Sequence, residues 1–172
     1  MTAFQVLIII AIGFALLVVL ILILASISKV KNSKIIHDKI VDIFGDNAVH
    51  VVNGQSHQYE IETDAMIYLI KVIHFNSKHE LIITNPYFWC VNESIKNWKR
   101  SSAPNLISSV NEFVDMKVKS SKQVVKVGLI YPDCHNITRY LNESDVELVT
   151  YKKSAYGVYF VRFSEINLFF KN

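Results

Sequence analysis

The stretch VLIIIAIGFALLVVLILILA, Val6 to Ala25, carries no charged side chain and no side-chain hydrogen-bonding group. As an α-helix rising ~1.5 Å per residue it is ~30 Å long, the thickness of the hydrocarbon core of a bilayer. It is expected to cross a membrane once. Every charged residue lies at or after Lys29, so the 172 residues divide into three parts. Residues 1–28 read as a transmembrane anchor, 29–45 as a basic juxtamembrane segment with a short amphipathic helix, and 46–172 as one soluble domain. A retained anchor is expected over a cleaved signal, because Met1 to Gln5 carry no Lys or Arg and the apolar run exceeds a signal core.

Eighteen Lys and Arg against fifteen Asp and Glu leave a net charge of +3. The cations are scattered among the anions, a pattern that argues against a nucleic-acid footprint. Lys29, Lys31 and Lys34 are different, since they directly follow the apolar run, where they meet lipid head groups. The positive-inside rule puts that side, and the domain with it, in the cytosol or nucleoplasm. Cys90 and Cys134 are the two cysteines. If paired, they would close a loop of about 45 residues and stabilise the fold by roughly 4 kcal/mol, and buried free thiols are the equal alternative. The sequons at Asn92, Asn136 and Asn142 do not decide a compartment.

Beyond the anchor, Ile36, Ile40, Ile43 and Phe44 recur at helical spacing, with Gly45 as a stop signal. Ala48 to Val52 and Tyr59 to Ile61 read as strands around Asn53-Gly54, a hairpin turn signal. Thr63 or Asp64 can cap a helix over AMIYLIKVIHF, although a run so apolar all round also fits a buried strand. Glu80 to Thr84 is a buried strand stopped by Asn85-Pro86. Ser101 or Ser102 is expected to cap a helix from Ala103 to Lys117, with Pro104 in its first turn and Leu106, Ile107, Val110, Phe113 and Val114 as its apolar stripe. Strands at Gln123 to Tyr131, Val146 to Tyr151 and Val158 to Phe163 follow, with a helical turn around Ile137 to Leu141 and a bend at Tyr156-Gly157. The fold class is α/β or α+β, a layered domain of about five or six strands behind one transmembrane helix.

The chain shows no common signature of catalysis. Its five glycines are isolated, and no GxSxG, HExxH or paired CxxC pattern occurs. Cys134-His135 lacks the paired ligands that a zinc site shows at short spacing. No cofactor, metal or small-molecule substrate is therefore expected. Glu60, Glu62 and Asp64 before a buried strand echo the front of a restriction-endonuclease-like nuclease. Where such enzymes place a metal-binding Glu and a lysine, this chain has Ile83-Thr84-Asn85. That leaves a membrane-tethered, degenerate nuclease-like domain as the alternative reading. The segment YFWCVNESIKNWKR gathers Tyr87, Phe88, Trp89 and Trp98 beside Lys99 and Arg100. Aromatics at this density are first core residues. They are second a protein contact, because Trp and Tyr dominate interface hot spots, with the two cations as its rim.

The order of IIHDKI, YEIETDAMIYLIKVIHF, HELIITNPYFWCVNESIKNWKR, SAPNLISSVNEFV and VGLIYPDCHNITRYL behind an uncharged apolar N-terminus resembles the baculovirus 19-kDa core protein family, also called per os infectivity factor four. The resemblance runs over essentially the whole chain, and NPYFWC and IYPDCHNIT are its most specific parts. It implies a non-enzymatic, single-pass envelope protein of the occlusion-derived virion, acting with other per os infectivity factors in virus entry through the insect midgut. It also implies passage through the host nuclear membrane during assembly, for which Lys29, Lys31 and Lys34 stand in the position of a sorting signal.

Overall fold

The computed structural model describes residues 3–52, 54–74, 79–93, 105–142 and 145–171. Its first element is a single helix, α1 (Ala3–Phe44), that runs through the apolar stretch without a break. The amphipathic segment from Ser33 is therefore the end of α1 and no separate helix. Nothing between Ala25 and Ile36 breaks a helix, and the first breaker, Gly45, ends it with a positive φ of 82°. Ile36 and Ile40 are buried while Lys34 and Asp38 are exposed, as their spacing requires. The chain divides into two compact units, Met1–Asp42 and Ile43–Asn172.

The second unit is richer in strands than its sequence suggests. Among the described residues ten strands form two five-stranded sheets. The first sheet contains β1 (Val49–Val51), β2 (Tyr59–Glu62), β3 (Met66–His74), β7 (Gln123–Tyr131) and β10 (Val158–Arg162), in that spatial order. β1, β2 and β3 are antiparallel neighbours, whereas β7 runs parallel to both β3 and β10. The second sheet has the order β6 (Asn105–Leu106), β5 (Phe88–Glu93), β4 (His79–Asn85), β8 (Ile137–Tyr140) and β9 (Val146–Leu148).

Alternation along each strand sets the layers. Ile67, Leu69 and Ile73 of β3, Ile130 of β7 and Phe160 of β10 share one core with Leu81, Ile83, Trp89 and Ile137 of the second sheet, so the two sheets pack face to face. Gly128 on β7 makes room for this packing. A Cβ there would lie 3.0 Å from Phe160 Cδ1 and 3.3 Å from Ile73 Cδ1. The opposite face of the first sheet carries Tyr59, Ile61, Tyr68 and Ile70, paired across β2 and β3. Aromatic rings cover part of it: Phe170 of the C-terminal helix α3 (Ile166–Phe170) meets Tyr68 edge-on at 5.1 Å, and Phe169 lies 5.3 Å from Tyr159.

Three sequence expectations fail here, each for a local reason. The run from Met66 to His74 is a strand, its second reading, because β7 flanks it in parallel and both its faces are covered, which removes the period of two that marks a half-exposed strand. Thr63 caps no helix. Its hydroxyl bonds the backbone N–H and carbonyl of Met66, both at 3.0 Å, and so closes the β2–β3 turn. The helix expected from Ala103 to Lys117 is reduced to α2 (Val110–Asp115), preceded by Ser109 with a φ of 54° and by strand β6, which takes Leu106 to pair with Cys90. Its proposed caps and Pro104 lie outside the described residues. Ile137 to Tyr140 is a strand and no helical turn, since it lies between β4 and β9 and pairs with both. The bend at Tyr156-Gly157 is present, with φ of 53° and 78°. Gln123 to Tyr131 is a strand over the full expected range.

Candidate functional site

Register divides the aromatic segment between two faces. Trp89 pairs with Ile83 and points into the core, where it is 1% exposed and packs edge-on against Phe160 at 4.8 Å and Phe113 at 6.3 Å. It is a core residue, which corrects its assignment as a partner contact: alternation in β5 sends it inward. Phe88, one position earlier, points outward and is 37% exposed. Tyr87 sits in the β4–β5 turn, exposed, with its hydroxyl donating to Asp115 Oδ1 at 2.9 Å. That bond to a carboxylate pushes the Tyr87 phenol above its ordinary range. Trp98, Lys99 and Arg100 lie outside the described residues.

Phe88 belongs to a larger surface. One row of paired residues crosses the outer face of the second sheet as Leu106, Cys90, Ile82, Thr138 and Leu148. The next row on β8 and β9 is Tyr140 and Val146. Leu106, Tyr140, Val146 and Leu148 are all exposed, and none of these positions carries a charge. The same strands turn Leu81, Ile83 and Ile137 into the core, while on the outer face Cys90 and Glu80 are also buried, so the exposed apolar surface lies at the two ends of the row. Sequence reasoning missed this face because it read Ile137 to Leu141 as helical and placed Leu106 in a helix.

A second group of polar side chains lies at the edge of the first sheet. His57 is 1% exposed, and among the described residues neither ring nitrogen has a hydrogen-bond partner; Glu60 lies close by, with Nε2 4.0 Å from Oε2. Burial holds the His57 pKa below its ordinary value, against the pull of Glu60 and with a smaller push from Lys71. Lys71, on the core face of β3, is also buried, and its ammonium donates to the Ser56 carbonyl at 2.9 Å and lies 6.0 Å from the Phe113 ring centroid. Desolvation lowers the Lys71 pKa, partly offset by Glu112. The sequence signals neither residue, since Lys71 is a single cation in an apolar run and Ser56-His57 sits in a loop.

The acidic trio does not converge. Glu62 is engaged by Lys122 at 2.6 Å, Glu60 faces His57, and Asp64 is exposed in the β2–β3 turn. Among the described residues no group of three His, Cys, Asp or Glu is placed to hold a metal ion. Cys90 and Cys134 are buried free thiols, the alternative to the disulfide. Burial raises both thiol pKa values, for Cys134 against the opposing effect of Arg162. His135 is exposed beside the buried Cys134. Of the sequons, Asn136 donates to Glu80 at 3.2 Å and Asn142 to Asp145 at 2.6 Å, while Asn92 lies on β5 opposite Glu80. Lys31 and Lys34 are exposed on α1, and Lys29 lies on the same helix.

From Ile12 to Phe44, α1 contains a window of mean hydropathy 2.5 with none of it buried, long and apolar enough to cross a membrane. Comparison with protein-family models, with curated proteins and with solved structures finds no match to this chain.

Proposed function

We propose that the chain is a single-pass, membrane-anchored structural subunit of a viral envelope entry complex, working by protein binding without catalysis. The observation that carries the reading is the unburied apolar helix joined to a domain with Leu106, Tyr140, Val146 and Leu148 exposed on one sheet face. An apolar helix with no protein cover is stable in lipid. An apolar sheet face in water is stabilised by a protein partner.

The family resemblance narrows the proposal to a per os infectivity factor in the envelope of the occlusion-derived virion, carried there through the host nuclear membrane. In this reading Val6 to Ala25 holds the protein in the bilayer and Lys29, Lys31 and Lys34 direct its sorting. Tyr87 and Phe88, continuous with the apolar face, contact other entry-complex proteins.

The experiment is affinity purification of the tagged chain from detergent-solubilised virion envelopes. Phe88→Ala with Leu106→Ser should lower recovery of other entry-complex proteins at least tenfold while leaving the chain folded and in the envelope. Full recovery of every partner with both side chains removed would refute the assigned contact face. Absence of the protein from the envelope would refute the function.

A further inference from the structure

Among the described residues strand β9 closes one end of the second sheet, and its unpaired side has the features of a docking edge. Leu141 N–H donates to the Asp145 carbonyl and Val149 N–H to the Ile137 carbonyl, both at 2.9 Å. Hydrogen-bonded and non-bonded pairs alternate along an antiparallel ladder, so Arg139 and Glu147 form the bonded pair between them. Val146 and Leu148 are then the residues that turn their backbone N–H and C=O groups away from β8. Their side chains, 52% and 66% exposed, lie together on the outer face. Natural edges are ordinarily blunted by shortness, a charge pointing outward or inward, a proline or a bulge. β9 has no proline or bulge; it is three residues long, and its one charge, Glu147, points inward, where Lys153 and Arg139 of the same chain already pair it.

Glu147, between them, points to the inner side, where charges are unbalanced. Lys153 Nζ lies 2.8 Å from one carboxylate oxygen and Arg139 Nη1 3.7 Å from the other. The Arg139 guanidinium stacks 4.5 Å from the Tyr156 ring centroid, and its buried Nε has no hydrogen-bond partner among the described residues. Arg139, Glu147 and Lys153, with Leu148 and Ser154, line a cavity of about 90 Å³. Each chain thus brings two cations and one carboxylate to this edge.

We propose that β9 is a homotypic docking edge, at which two copies of this chain join by antiparallel β9–β9 pairing about a two-fold axis at Glu147. Val146 of one copy faces Leu148 of the other as a bonded pair, and the reciprocal pair repeats it, giving four new backbone hydrogen bonds. The apolar side chains of both pairs cover each other on the outer face. The two Glu147 carboxylates meet on the inner face, each already paired by Lys153 and Arg139 of its own chain, which offsets the repulsion that two facing acids produce. The edge sequence Val-Glu-Leu is its own complement: a partner strand must be apolar, acidic, apolar, and a second copy supplies that order. The two five-stranded sheets become one continuous sheet of ten.

The test uses the full chain in dodecyl maltoside micelles, with protein mass measured by light scattering corrected for detergent. The expected result is twice the 19.7 kDa chain mass, falling to one chain in Val146→Lys/Leu148→Lys, whose altered side chains are exposed and leave the core untouched. Separately, Glu147→Cys should cross-link to a covalent dimer under mild oxidation, because the two residues at the axis form a close non-bonded pair, and urea before oxidation should abolish the band. That readout needs no folded lysine variant. A single-chain mass for the wild type at all concentrations overturns the proposal. So does a dimer that survives the double lysine variant while Glu147→Cys gives no cross-link, since the contact would then lie in α1.

Discussion

Replacing Trp89 and its neighbour Phe88 by alanine separates core from surface within two residues. Trp89 is 1% exposed between Phe160 and Phe113, whereas Phe88 is 37% exposed on the opposite face of β5. Truncating a buried Trp to Ala costs about 3–5 kcal/mol through lost burial and a residual cavity. Each edge-to-face pair that is lost accounts for roughly 0.5–1.5 kcal/mol of such a change. A domain of this size has only ~5–15 kcal/mol in total. With a urea slope of ~2 kcal/mol per molar, Trp89→Ala should lower the unfolding midpoint by roughly 2 M. Phe88→Ala should shift it by less than about 0.5 M, because its outer face has no core to collapse. Pulse proteolysis of the full chain across a urea series reads both values, since α1 in detergent does not alter cleavage of the unfolded domain. Equal shifts for the two variants would refute the register of β5. An undisturbed midpoint for Trp89→Ala would refute the core.

Gly128→Ala should cost about 1–3 kcal/mol by overpacking, because its Cβ would sit 3.0 Å from Phe160, and Phe160→Leu in the same chain should recover part of that loss in the same proteolysis assay. His57 predicts a pH dependence: its folded pKa lies below the unfolded value of 6.5, so the unfolded chain binds the proton first and stability falls as pH drops below 6.5. Above that value the contribution is fully present, and His57→Gln should flatten the acid limb of a stability–pH curve. Cys90 and Cys134 should resist maleimide in the folded chain and react together with unfolding, whether or not reductant is present. Glutamine at Lys29, Lys31 and Lys34 should leave membrane insertion intact and weaken accumulation at the nuclear envelope, read by imaging of tagged chains.

The parts of the fold legible in the sequence are those with a single dominant signal. Gln123 to Tyr131 is β-rich and bounded by Pro132, and Val6 to Ala25 has no polar group to interrupt it. Misreadings arise where one local pattern serves two structures. Met66 to His74 is covered on both faces and so loses its alternation, leaving an apolar run as suited to a helix as to a strand. Leu106, Val110, Phe113 and Val114 share a helical stripe, yet Leu106 is drawn into β6 by Cys90, and the chain reverses at Ser109 before α2 begins. The aromatic segment was visible as a cluster, but its division into an inward Trp89 and outward Phe88 requires the register of β5 on β4. The buried His57 and Lys71 and the unbalanced charges at Glu147 come from loops and strands far apart in the chain, so no local motif announces them.

Alkaline carbonate extraction of membranes that contain the full chain tests the proposed anchored binding domain most directly. The account predicts that the chain stays in the membrane fraction and floats with it, and that removing Val6 to Ala25 releases a folded domain into the supernatant. A full-length chain that leaves the membrane on extraction would contradict it.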